Sequence, residues 1–175
     1  MQHIAIKIFA QPGAQLVAGD AIAVFHRWIQ KRDFPDLLID VADYSHMSAG
    51  PGVILMGRDA AYSLDSSGDR LGLLHNRRTA VILDDESSLQ LAYDVAISVC
   101  RRLEAEPEFQ GKLKFDDKTF TLTWNDRLLY PNTEESWARL RPTVETFLKQ
   151  KFGPTCYNLR RNYDLRERLG AEVVA

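Results

Sequence analysis

Residues 53–75, VILMGRDAAYSLDSSGDRLGLLH, decide the fold. Three short β-prone runs lie within them, at 53–56, 61–64 and 70–75, and glycines or acidic turn residues punctuate them. The cluster Asp65-Ser66-Ser67-Gly68-Asp69 has the composition of a tight turn, so the second and third runs form a hairpin. Strands that follow one another this closely build antiparallel sheet, with no helix between them.

The same reading extends toward the amino terminus. Residues 3–9 place Ile4, Ile6 and Ile8 on one face and Ala5 and Lys7 on the other, the period of a half-buried strand. Residues 37–44 alternate likewise. Between them, Gly19-Asp20 supplies an N-cap, and Ala21, Ile22, Phe25, Trp28 and Ile29 recur at helical spacing until Pro35. Toward the carboxyl terminus, Asp84-Asp85-Glu86-Ser87 caps a helix whose apolar stripe runs from Leu89 to Leu103. Residues 113–115 and 119–124 are expected to pair as a hairpin about Asp116-Asp117-Lys118. Asn132 and Glu135 have capping-box spacing before a third stripe, Trp137, Leu140, Val144, Phe147 and Leu148, which stops at Gly153-Pro154. Pro142 either kinks that helix or begins a second one. Strand-like runs at 156–163 and 170–174 complete the chain.

The expected architecture is therefore α+β: a mostly antiparallel sheet with about three amphipathic helices packed on it. Residues 1–175 form one domain, and 155–175 form a tail that docks either on the sheet or on a partner. A length of 175 residues with 45% hydrophobic and 26% charged residues suits one globular core and excludes a disordered or fibrous chain. The net charge of −2 provides no global field for nucleic acid or an anionic membrane. No apolar run approaches the ~20 residues of a bilayer span, and residues 1–9 lack the features of a secretory leader. A cytoplasmic location is expected, without nucleic-acid or membrane partners. Cys100 and Cys156 have no zinc-site spacing, so neither a metal nor a cofactor is expected.

Candidate chemistry is sparse. Asp40, Asp43 and His46 stand where a strand enters a glycine-bearing loop, the arrangement of a general base with an imidazole partner. Gly50 and Gly52 could bring backbone N–H groups to an anion, with His75, Arg77 and Arg78 at another strand end supplying charge. In the tail, Tyr157, Arg160, Arg161 and Tyr163 are of the types that favour protein interfaces. No serine-nucleophile elbow, phosphate loop or calcium loop occurs. The leading expectation is a binding or assembly protein without chemistry of its own, acting through a protein partner or a second copy. The alternative is a small-molecule-binding protein or small enzyme with a polar cleft between the 40–52 loop and the 75–78 strand end.

Overall fold

A computed structural model describes residues 3–47, 50–79 and 83–175. The strands are β1 (Ile4–Ala10), β2 (Leu38–Tyr44), β3 (Gly52–Gly57), β4 (Ala60–Asp65), β5 (Gly72–Arg77), β6 (Phe115–Trp124), β7 (Asn158–Arg161) and β8 (Gly170–Val174). The helices are α1 (Ala18–Lys31), α2 (Asp85–Ala105) and α3 (Glu134–Phe152). All eight strands join one antiparallel sheet in the order β2-β3-β4-β5-β1-β6-β8-β7. The chain has an α+β fold.

Strand periodicity explains where the core sits. Partners across an antiparallel ladder share a face, so Ile6, His75, Tyr62, Leu55, Leu122 and Ala171 point the same way. The strand residues of the main apolar cluster come from this face, and they meet Phe25 and Trp28 of α1, Leu89, Tyr93 and Cys100 of α2, and Trp137 and Phe147 of α3. Each fully buried Leu, Ile or Phe in that cluster contributes about 1.5–3 kcal/mol. Trp28 adds a polar tie, its indole N–H donating to Glu106 Oε1 at 2.6 Å.

Several local expectations are corrected. Val17 rather than Asp20 occupies the α1 N-cap position, with no side-chain bond, and Asp20 lies within the first turn, where its charge still complements the helix dipole. Asp84 caps α2 by accepting from Ser87 N–H at 2.9 Å. Thr133, not Asn132, caps α3. Pro142 interrupts nothing: α3 is continuous across it, because Pro142 lies on the exposed side, where the orphaned carbonyl one turn earlier faces water.

The hairpin expected about Asp116-Asp117-Lys118 is instead one strand with a large bulge. Ile8 pairs with Phe120 but Ala10 pairs with Phe115, so three extra β6 residues are taken up without the chain reversing. The turn chemistry is nonetheless present. Asp116 accepts from Lys118 N–H at 3.0 Å and from the Thr119 hydroxyl at 2.7 Å. The tail packs on its own sheet, β8 pairing with β6 and β7 forming an edge.

Candidate functional site

The sheet face opposite the helices has a different composition. A single row of register partners crosses it, with Ala42, Ile54, Ser63 and Leu74 on β2–β5, then Lys7, Thr121, Glu172 and Arg160. The first half is small or apolar, and Ile54 and Leu74 are only partly buried. The second half is charged and floors a trough of ≈ 870 Å³ that Arg70, Arg127 and Arg168 also line.

Two of these cations are committed to structure. Lys7 is 7% exposed and its ammonium donates to Asp65 Oδ1 at 2.5 Å and to the Ser67 carbonyl at 3.0 Å. Asp65 also accepts from Ser67 N–H at 3.0 Å, so one carboxylate holds both the β4–β5 turn and the buried ammonium. Arg70 places its guanidinium 3.5 Å from the Phe9 ring centroid and pairs with Glu172 at 2.5 Å. Arg160 and Arg168 are exposed and have no carboxylate partner among the described residues. Arg127 donates one Nη2 bond, to the Arg166 carbonyl at 3.0 Å.

A second, smaller bay of ≈ 460 Å³ adjoins the trough and shares Arg127 and Arg168 with it. His3, Asn76, Arg77, Arg78, Asn125 and Asp126 complete its wall. Asn125 Nδ2 donates to Asn76 Oδ1 at 2.8 Å, and Asp126 Oδ1 is turned toward Leu128 and Leu129 N–H at 2.9 and 3.0 Å.

The residues singled out from sequence are dispersed. Tyr44 and Gly52 are register partners at one end of the sheet, whereas Ala60 and Arg77 meet at the other. Strands β3 and β4 also separate β2 from β5. The expected cleft between the 40–52 loop and the 75–78 strand end therefore does not form. Asp43 Oδ1 accepts from Ser45 N–H at 2.8 Å, and those hydrogen bonds from Ser45 lower its carboxyl below the usual range. Asp40, Asp43 and His46 are all exposed on or beside an edge strand. Among the described residues no group of three or more His, Cys, Asp or Glu side chains could hold a metal. Both cysteines are free, and burial raises the Cys100 thiol well above its ordinary value.

The two glycines have backbone roles. Gly50 N–H is committed to the Met47 carbonyl at 3.0 Å, and Pro51 has no N–H to offer. Gly52 has a φ of +66°, and a Cβ there would collide with the Leu64 carbonyl oxygen. His75 is fully buried on the helix face, and neither ring nitrogen has a hydrogen-bond partner among the described residues. Burial, with Arg77 adding to it, pushes its imidazole down to about 4.

Of the expected anion-binding set, Arg77 and Arg78 line the bay. The tail residues diverge. All of Arg160, Arg161 and Tyr163 line the trough, but Arg161 is buried and committed, donating to Asn132 Oδ1 at 3.1 Å and contacting Glu134 at 2.5 Å. Tyr157 packs partly buried against the core. Sequence reasoning missed Lys7, Arg70, Arg127 and Arg168, because the strands that bring them together are far apart in the chain. The available signal was Lys7, a cation opposite the Ile4-Ile6-Ile8 face of a central strand. Among the described residues no helix is long and apolar enough to cross a membrane. Comparison with protein-family models, with curated proteins and with solved structures finds no match to this chain.

Proposed function

We propose that this chain is a binding and assembly protein without chemistry of its own, and that its docking surface is the helix-free face of the sheet. The observation that carries this reading is the trough, a concave surface on which the exposed Arg160 and Arg168 have no carboxylate partner among the described residues, inside a chain of net charge −2. The partner it fits is an acidic polypeptide segment. Arginine forks recognise carboxylates in a defined plane, and Ile54, Met56 and Leu74, farther along the same face on β3 and β5, supply the partly buried apolar ground that an interface core needs. The two carboxylates in the trough wall, Glu167 and Glu172, leave cations in excess there.

Site-specific photo-crosslinking in the native cell tests the reading. A photoreactive residue at position 74 or 121 should trap a protein through an acidic segment, and one at Ser98, exposed on α2, should not. Reversing charge with Arg160→Glu and Arg168→Glu should abolish the trapped species. Equal crosslinking from both faces, indifference to charge reversal, or an attached segment without acidic residues would overturn the proposal.

A further inference from the structure

We infer that the bay bounded by Arg78, Arg127 and Arg168 is a binding site for a phosphate-bearing small ligand, adjoining the protein-docking trough and sharing Arg127 and Arg168 with it. Four arginines, Arg77, Arg78, Arg127 and Arg168, line one concavity of ≈ 460 Å³, and none has a carboxylate partner among the described residues. The bay's one acid, Asp126, spends Oδ1 on two backbone N–H groups of its own turn. Four guanidiniums against one carboxylate leave cations in excess that repel one another, and a bound anion converts that repulsion into charge-assisted hydrogen bonds.

The number and shape of the donors select the anion. One carboxylate offers two coplanar oxygens, which a single arginine fork occupies. A terminal phosphate offers three oxygens in three directions, matching guanidiniums from three separate segments: the residue after β5, the turn after β6 and the stretch before β8. The Asn76–Asn125 amide pair lies in the same wall and adds neutral donors and acceptors. Arg77 contributes less, because its Nε is bonded to the Thr79 carbonyl at 3.2 Å. The volume admits a phosphate or pyrophosphate group with its waters.

Phosphate binding at the bay needs no protein partner, so it is tested on the isolated chain of 175 residues. Inorganic phosphate and pyrophosphate are titrated calorimetrically at constant ionic strength, with citrate as the carboxylate control. Saturable one-site binding of at least one phosphate probe is expected, at least tenfold tighter than citrate. Arg78→Gln or Arg168→Gln should weaken it about tenfold or more, whereas Arg70→Gln, outside the bay, should leave it within twofold. Phenylglyoxal modification of the wild-type protein gives a readout that needs no variant: pyrophosphate should protect Arg78 and Arg168 and leave Arg58 reactive. Non-saturable binding, citrate binding of equal strength, equal loss with Arg70→Gln, or no selective protection would each overturn the assignment.

Discussion

The two faces of β1 carry the same strand in opposite environments. On one, Ile4, Ile6 and Ile8 are buried beneath the helices, and water is excluded by apolar volume alone. On the other, Ala5, Lys7 and Phe9 are buried nearly as deeply, yet with no helix above them. There the cover is local and polar: the β4–β5 turn closes over Lys7, and the Arg70 side chain lies across Phe9. Burial on the helix face belongs to the whole core, whereas burial on the opposite face depends on a few named contacts. A face protected by single contacts keeps its charges close to solvent and can present them to a ligand.

The largest effects should come from breaking each kind of burial at β1. Asp65→Ala leaves the Lys7 ammonium unpaired in a site with little access to water, and it should cost about 3–5 kcal/mol in urea denaturation. Ile6→Ala on the opposite face should cost about 2–5 kcal/mol through lost transfer energy and a cavity. The faces part company in the rescue. Lys7→Met combined with Asp65→Leu should recover most of the loss, because two charges leave together. No single partner change should rescue Ile6→Ala. If the double replacement is no more stable than Asp65→Ala, the loss comes from the Asp65 bonds to Ser67 in the β4–β5 turn and not from the stranded ammonium.

Next in size is an effect confined to the helix face. His75 titrates near 6.5 when unfolded but at about 4 when folded. Above pH 6.5 both states are neutral and the group adds no pH dependence. Below it the unfolded chain binds the proton first, so stability falls until the folded imidazole also protonates near pH 4. The loss over that window is about 3 kcal/mol. His75→Leu should remove this slope and, since neither imidazole nitrogen has a partner among the described residues, should be at least as stable as the parent at pH 7. Carboxylates act in a lower window. Glu108, held down to about 2 by hydrogen bonds from Arg27, loses its contribution only as pH falls below about 4.5. Urea midpoints at pH 7, 5.5 and 4.5 separate the two, and a slope that survives His75→Leu would assign it elsewhere.

Legibility in the sequence divides along the same two faces. The Ile4-Ile6-Ile8 alternation and the Leu89 to Leu103 stripe mark the helix-facing side of β1 and the buried side of α2, because a core-facing residue declares itself by type and period, whereas the burial of the other side of β1 does not show in a half-buried strand's alternation. The bulge in β6 was not legible: Asp116 makes turn bonds whether or not the chain reverses, and pairing with β1 and β8 decides that it does not. The trough was illegible for a different reason. Its cations come from β1, the β4–β5 connection, the turn after β6, β7 and the stretch before β8, and each is an ordinary surface residue in its own segment. Only the strand order makes them neighbours. Of the set chosen from sequence, Asp40, Asp43, His46, Gly50 and Gly52 lie on or beside β2 and β3 and gather nothing from the rest of the fold, whereas Arg77 and Arg78, expected to face them, line the bay instead.

The smallest expected effect on stability is also the sharpest test of the comparison. Arg160 and Arg168 are exposed and carry no ion pair among the described residues. Replacing either with Ala should shift the urea midpoint by no more than about 0.5 kcal/mol in equivalent stability. Removing one of several unpaired like charges relieves repulsion, so the sign should be neutral to favourable in low salt and should fade as salt screens it. Arg70→Ala should behave differently, since it uncovers Phe9 and strands Glu172, and it should destabilise by about 1 kcal/mol or more. A helix face whose charges were equally dispensable would not tell these arginines apart. On the opposite face, the division between Arg70, which holds the fold, and Arg160 and Arg168, which do not, marks which cations are free to meet a partner. If Arg160→Ala and Arg168→Ala both destabilise as strongly as Arg70→Ala, those side chains are structural and the trough loses its claim to be a docking surface.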